Sequence, residues 1–138
     1  IIMQLNAHVA FNGNCEEAFK FYEQHLGGKI AVLMRYEGTP AVGMAPADWT
    51  NKIIHGRIAV GGALLMGADA PPGRYEAPKG ITISLSATSD ADAERVFGAL
   101  SEKGTVSMPI QETFFATRFG TLVDKFGVPW MIVCEKTS

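Results

Sequence analysis

The chain has 138 residues, of which 47% are hydrophobic and 19% charged, with a formal net charge of -2. That length suits one ordinary domain, which buries roughly two thirds of its unfolded surface on folding and needs no metal or disulfide to do so. With no basic excess to hold a phosphate backbone, the composition argues against a nucleic-acid partner. Apolar runs such as "IAVGGALLMGA" are broken by glycines and fall short of the about 20 residues that cross a bilayer.

In chain order, the opening "IIMQLNAHVAF" has no basic region ahead of its apolar residues and runs directly into a strand pattern. It therefore does not read as a secretory signal, and a cytoplasmic location is expected. Residues Leu5 to Phe11 alternate apolar and polar as a half-buried strand does. "NGNC" follows with Asn14 as the expected cap, then a helix whose Ala18, Phe21, Tyr22 and Leu26 share a face, then a glycine stop. Strands are expected in "KIAVLMRY" and "KIIHGRIAV", the latter turning at Gly61-Gly62 into "ALLMGAD". The proline- and glycine-rich "APPGRYEAPKG" reads as a linker, and "EGTPAVGMAPADWTN" as an extra loop.

The same order then repeats. "ITISLSA" is a strand, and Asp90 is the expected N-cap of a helix that stops at Gly104. "TVSMPI", "FFATRFGTLV" and "VPWMIV" are strands, the last two joined by a turn at Asp124 to Gly127. An offset of 76 residues lays Asp90 on Asn14, Phe97 on Phe21 and Gly104 on Gly28. The expected architecture is α+β: a single domain of two paired β-α-β-β-β modules, about 1–70 and 79–138, forming a curved mixed sheet around a cleft with the helices outside.

These paired modules, with "FNGNCEEAFKFYEQHLGGK" near the start and "QETFFATRFGTLVDKFGVPWMI" near the end, resemble the vicinal oxygen chelate superfamily of glyoxalases, bleomycin-resistance proteins and extradiol dioxygenases. More narrowly they resemble its PhnB-like branch, often labelled 3-demethylubiquinone methyltransferase-like. The methyltransferase label finds no support in the residues, because the first strand leads into "NGNCEEAF" and not into a glycine-rich loop for a methyl donor. The resemblance implies metal ligands, usually His, Gln or Glu, on the first and last strands of each module. At those positions stand His8, its counterpart Ser84, the "ALLMG" stretch and Met131, so His8 is the one good ligand. No metal or other cofactor is expected.

One fold hosts many activities, and two readings from different classes stay open. The first is a protein that binds a small organic molecule in its cleft without a transition metal. The second is a metal-dependent lyase, isomerase or dioxygenase, for which His55 is the residue that could join His8. A weaker third, a drug-sequestering protein, needs an acidic cleft for a cationic drug. Strand alternation sets His8 opposite Ala7 and Val9, and sets His55 and Arg57 opposite Ile54, Gly56 and Ile58. These three are the expected polar ligand-binding groups, with Trp130 as the aromatic one. Arg57 and Arg35 could each clamp an anion or end in a surface ion pair. Cys15 follows the helix cap, where the helix N-terminus would lower its thiol pKa, or it is simply packed. Phe114, Phe115 and Phe119 are either ligand-lining or core. Asp124, with Glu112 the nearest acid to the final turn, is expected to hold that turn by accepting backbone amides. Cys15 and Cys134 form no C-x-x-C pair and read as reduced thiols. A homodimer is expected from the family and from exposed strand edges.

Overall fold

A computed structural model describes residues 3–136. The chain divides into two compact units at Ala77/Pro78, within the linker. Unit 1 carries β1 (Ala7–Phe11), α1 (Cys15–Leu26), β2 (Lys29–Arg35), β3 (Ile53–Val60) and β4 (Ala63–Asp69). Two short 3-10 turns, Pro40–Met44 and Ala47–Trp49, lie in the loop between β2 and β3. Unit 2 carries β5 (Ile83–Ser86), α2 (Asp90–Ser101), β6 (Thr105–Gln111), β7 (Ala116–Val123) and β8 (Pro129–Glu135). Each unit is a mixed four-stranded sheet of the same topology, β1-β4-β3-β2 and β5-β8-β7-β6. The first strand pairs parallel with the last and the other pairs are antiparallel. The fold is therefore α+β, two β-α-β-β-β modules as the sequence pattern requires.

One face of each sheet is covered by its helix. In unit 1, Val9, Phe11, Ile58 and Leu65 turn inward against Ala18, Phe19 and Tyr22 of α1, all buried. In unit 2, Leu122, Trp130 and Ile132 meet Val96, Phe97 and Leu100. Burying such side chains contributes about 1.5–3 kcal/mol each relative to leaving them in water, so these two layers are the main source of stability in each unit.

The repeat is real but its register is not uniform. Ala7 pairs with Leu65 and Ile83 with Trp130, which keeps the offset of 76 on the first strands. A Cβ placed at Gly28 would stand 2.7 Å from the Ala59 carbonyl oxygen, and one at Gly104 would stand 2.5 Å from that of Val123. Both glycines thus serve the same close approach of helix end to strand. Across the helices, however, the buried sets are Cys15, Ala18, Phe19, Tyr22 and Ala93, Val96, Phe97, Leu100. These superimpose at an offset of 78. Phe97 is the counterpart of Phe19, not of Phe21, and the inward face of α1 holds Phe19 where periodicity suggested Phe21 and Leu26.

The glycines on the sheets explain the choice. Gly56 pairs with Gly67, and a Cβ at Gly56 would come within 2.9 Å of Phe19 Cε2. In unit 2 a Cβ at Gly120 would come within 2.6 Å of Phe97 Cε2. Each helix sets one phenylalanine ring against a glycine on its sheet. The remaining volume is exchanged between partners: Phe11 reaches over Gly67 in unit 1, and the matching positions of unit 2 hold Ala87 and the fully buried Ile132. Such compensation keeps the interior close-packed.

Helix capping also departs from the sequence expectation. Asn14 stands before α1 without a side-chain cap bond. The Cys15 amide instead donates to the carboxylate of Asp69, 2.9 Å away at the end of β4, and the other Asp69 oxygen accepts from the Ile53 amide at 2.8 Å. Asp69 is 1% exposed, and it ties the start of α1 to β3 and β4 together. In unit 2 the cap is Ser89, which accepts from the Asp92 amide at 3.1 Å, and Asp90 is the first helical residue.

Candidate functional site

The face of the unit 1 sheet turned away from α1 carries the candidate polar groups, and the strand register brings them together. His8 on β1 stands directly opposite Met66 on β4, and Met66 stands opposite Arg57 on β3. Two residues along β3, His55 stands opposite Met34 on β2. Because neighbouring Cβ atoms on one face are about 5 Å apart, these side chains form one continuous patch. Gly56 and Ile58 are buried on the opposite face, which settles the alternation in favour of His55 and Arg57 pointing away from the helix.

The groups of the patch interact. Arg57 Nε donates to His55 Nε2 at 3.2 Å. His8 remains exposed, yet partial burial of its imidazole, and after that the charge of nearby His55, lower its pKa below the usual histidine value. At neutral pH it is an uncharged donor and acceptor. None of the strand residues on this face is an acid, so the patch combines one permanent cation with two imidazoles and the thioethers of Met34 and Met66.

The other candidates are placed differently. Trp130 is 2% exposed, and its indole N–H donates to the Asp124 carboxylate at 2.8 Å. The same carboxylate accepts the amides of Phe126 and Val128 at 2.9 and 3.0 Å, so Asp124 holds its turn as expected and also fixes the indole in the core of unit 2. By strand parity the residue of β8 on the face away from the helix is Met131, opposite Ser84 and Thr121. Arg35 is spent on structure: its guanidinium grips Glu16 at 2.9 and 3.0 Å, clamps α1 to β2, and holds the Glu16 carboxyl down to about 2. Burial, then the neighbouring acids Asp69 and Glu16, push the Cys15 thiol up rather than down, so this buried cysteine is a packing group. Phe114, Phe115 and Phe119 stack edge to face, with centroids 5.2 and 5.0 Å apart, and Phe114 is 91% exposed.

A separate cleft of about 420 Å³ opens at the N-terminal end of α1, lined by Gly13, Glu16, Lys20, Lys52 and Asp69 among others. Its cations are already engaged: Lys52 Nζ donates to the Gly13 carbonyl at 2.7 Å, and Lys20 pairs with Glu16 at 3.1 Å. Sequence reasoning missed Asp69, whose only signal was an acid closing an apolar strand. It also missed the two methionines, which the cross-strand register sets beside His8 and His55.

A transition metal of the kind the superfamily resemblance implies does not fit the donor set. Among the described residues no three or more His, Cys, Asp or Glu side chains are placed so that they could hold a metal ion, whereas such ions take three or four nitrogen, sulfur or carboxylate ligands. Nor, among the described residues, is any helix long and apolar enough to cross a membrane.

Comparison with known proteins agrees with this architecture. The chain is 31% identical to Protein YjdN of Escherichia coli (strain K12), with 94% of each chain covered. Its fold is similar to the crystal structure of protein PA1353 from Pseudomonas aeruginosa, at TM-score 0.88 and 46% identity, covering 99% of this chain and 100% of that one. The PhnB protein from Bacillus cereus shares the fold at TM-score 0.81 and 22% identity, covering 96% and 99%. A family model described as the glyoxalase/bleomycin resistance protein/dioxygenase superfamily matches residues 4–132, nearly all of the two modules described above, and the chain belongs to that superfamily.

Proposed function

We propose that the protein binds a small organic molecule carrying an acidic or carbonyl group, without a transition metal, on the face of the unit 1 sheet formed by His8, His55 and Arg57. The observation that carries this reading is the register that lines up these three groups on one face whose strand residues include no acid. A cation with no carboxylate beside it is satisfied by an anion from outside, in contrast to Arg35, which Glu16 already neutralises. The same absence of acids argues against sequestration of a cationic drug there. In this reading Arg57 supplies the charge, His8 and His55 orient the ligand by hydrogen bonds, and the methionines supply apolar contact. Trp130, held by Asp124, belongs to the core of unit 2 in this reading.

The test is a thermal-shift screen of metabolites, with the best ligand measured again on Arg57→Ala and His55→Ala. Loss of a charge-assisted contact from Arg57 costs about 1.5–3 kcal/mol, a loss in affinity of about tenfold to hundredfold. Unchanged affinity in both variants would remove these residues from the site.

A further inference from the structure

The bond between Arg57 and His55 has a chemical consequence for the ligand, and it rests on the binding reading above. Arg57 donates through Nε, so His55 Nε2 is the acceptor and carries no proton. The imidazole proton of neutral His55 then resides on Nδ1, which becomes a donor. The same bond engages the inner nitrogen of the guanidinium and leaves its two Nη groups as a parallel fork. A fork of this kind matches the two oxygens of a planar carboxylate. Met66 lies directly opposite Arg57, and Met34, 48% exposed, lies directly opposite His55. Thioether sulfurs pack favourably against aromatic rings.

We infer that Arg57 and His55 form one donor unit, with His55 held as its Nδ1–H tautomer, and that the unit takes an aromatic carboxylate whose ring rests between Met34 and Met66. Charge complementarity supports an anionic occupant: on this face β1 and β3 carry His8, His55 and Arg57, β4 carries no titratable group, and the one β2 addition is the cation Lys29, opposite Ala59. Arg57 is in this sense both a binding residue and a positioning residue for His55.

Two measurements on the whole protein test the inference. Nitrogen-15 NMR of histidine-labelled protein reads the tautomer. His55 should show a protonated Nδ1 and an unprotonated Nε2, and Arg57→Ala should shift it towards the Nε2–H form that predominates in free imidazole side chains. A merely structural arginine would leave the tautomer unchanged. Binding is read with phenylacetate, using phenylacetamide to remove the charge and acetate to remove the ring. Phenylacetate should bind about tenfold more tightly than either control, and Arg57→Lys, which keeps the charge but loses the fork, should weaken phenylacetate by about tenfold and phenylacetamide by less. His55→Gln keeps an acceptor for Arg57 but no donor at the Nδ1 position, and should weaken phenylacetate by a similar factor.

An Nε2–H tautomer in the unmodified protein, or equal binding of phenylacetate and phenylacetamide, would overturn the inference. If a neutral metabolite from the screen lost affinity in Arg57→Ala and His55→Ala while phenylacetate failed to bind, the donor unit for carboxylates would fall and the binding site itself would stand. If every ligand bound both alanine variants normally, the site would fall as well.

Discussion

Substituting alanine for the sheet glycines beneath the helices tests the two-residue shift between helix and strand registers. At Gly56 the added methyl would lie 2.9 Å from Phe19 Cε2 and 3.4 Å from Cδ2. Phe19 is fully buried, so its ring has nowhere to swing. Overpacking by one methyl in such a place costs about 1–3 kcal/mol, partly offset by the 0.5–1 kcal/mol that alanine gains over glycine within a strand. A net loss of about 1–2 kcal/mol lowers the melting temperature by about 4–8 °C in a chain of this size. At Gly120 the methyl meets Phe97 Cε2 at 2.6 Å and also the backbone of Ile110, at 2.9 Å to Cα and 3.0 Å to N. Backbone yields less readily than a ring, so Gly120→Ala should cost about 3 kcal/mol, the upper end of the same range. The decisive assay is a double-mutant cycle by thermal or urea unfolding. Phe19→Leu should relieve Gly56→Ala, giving a coupling of about 1 kcal/mol, whereas Phe21→Leu should be additive with it. Phe97→Leu should relieve Gly120→Ala only in part, because the Ile110 contact persists. Coupling of Gly56 to Phe21, with additivity for Phe19, would refute the packing equivalence of Phe19 and Phe97.

Asp69→Asn removes the carboxylate that accepts two buried amides and leaves an N–H facing one of them; a loss of about 2–3 kcal/mol in unfolding free energy is expected, and a loss below 0.5 kcal/mol would show that the amides find other acceptors. Because the folded-state pKa of His8 lies below its unfolded value of 6.5, the unfolded chain takes up the proton first on acidification. The stability this group contributes is whole above pH 6.5 and is lost as pH falls from there through the lowered value, so unfolding curves for His8→Gln should be flatter between pH 7 and 5, and an identical slope would contradict the environment assigned to His8. Purified without chelator, the protein should hold substoichiometric zinc, nickel, manganese and iron, with no rise in melting temperature on adding them; one tight equivalent lost in His8→Ala would overturn this. Light scattering should report a dimer, and a mass that stays near 14.8 kDa across micromolar concentrations would exclude it.

Period-two alternation was strong enough in "LNAHVAF", "ALLMGAD" and "ITISLSA" to locate their strands within two residues, and the repeated order of elements identified the two β-α-β-β-β modules. What periodicity could not supply was the rotation of α1. Ala18, Phe21, Tyr22 and Leu26 satisfy helical spacing as well as Cys15, Ala18, Phe19 and Tyr22 do. The choice between them depends on Gly56 and Gly67, which lie more than thirty residues downstream and leave room on the sheet for one ring and not for another. Capping failed for a related reason. A local rule nominates the polar residue just before the helix, but the amide of Cys15 is met by Asp69, 54 residues away, and no nearest-neighbour pattern encodes that.

The candidate site was legible to the extent that it depends on strand parity. His8, His55 and Arg57 lie on one face because Val9, Gly56 and Ile58 must lie on the other, and burial of the helix-facing residues is the strongest constraint in the chain. The same parity argument, applied to "VPWMIV", would have separated Trp130 from that group. In the strand register Ser84, the counterpart of His8, pairs with Met131 as His8 pairs with Met66, and Trp130, one residue earlier, points towards α2. A tight turn sets only where the strand begins, and alternation decides which side each residue takes. Asp124 reinforces that choice by accepting the indole N–H. The residue whose side chain shares the outward row of unit 2 is therefore Met131, which sits where Met66 sits in unit 1. The superfamily resemblance implies metal ligands on the last strand of each module, and beside His8 and Ser84 those strands hold Met66 and Met131. A thioether is a poor ligand for the harder divalent ions but a good contact for an apolar ring.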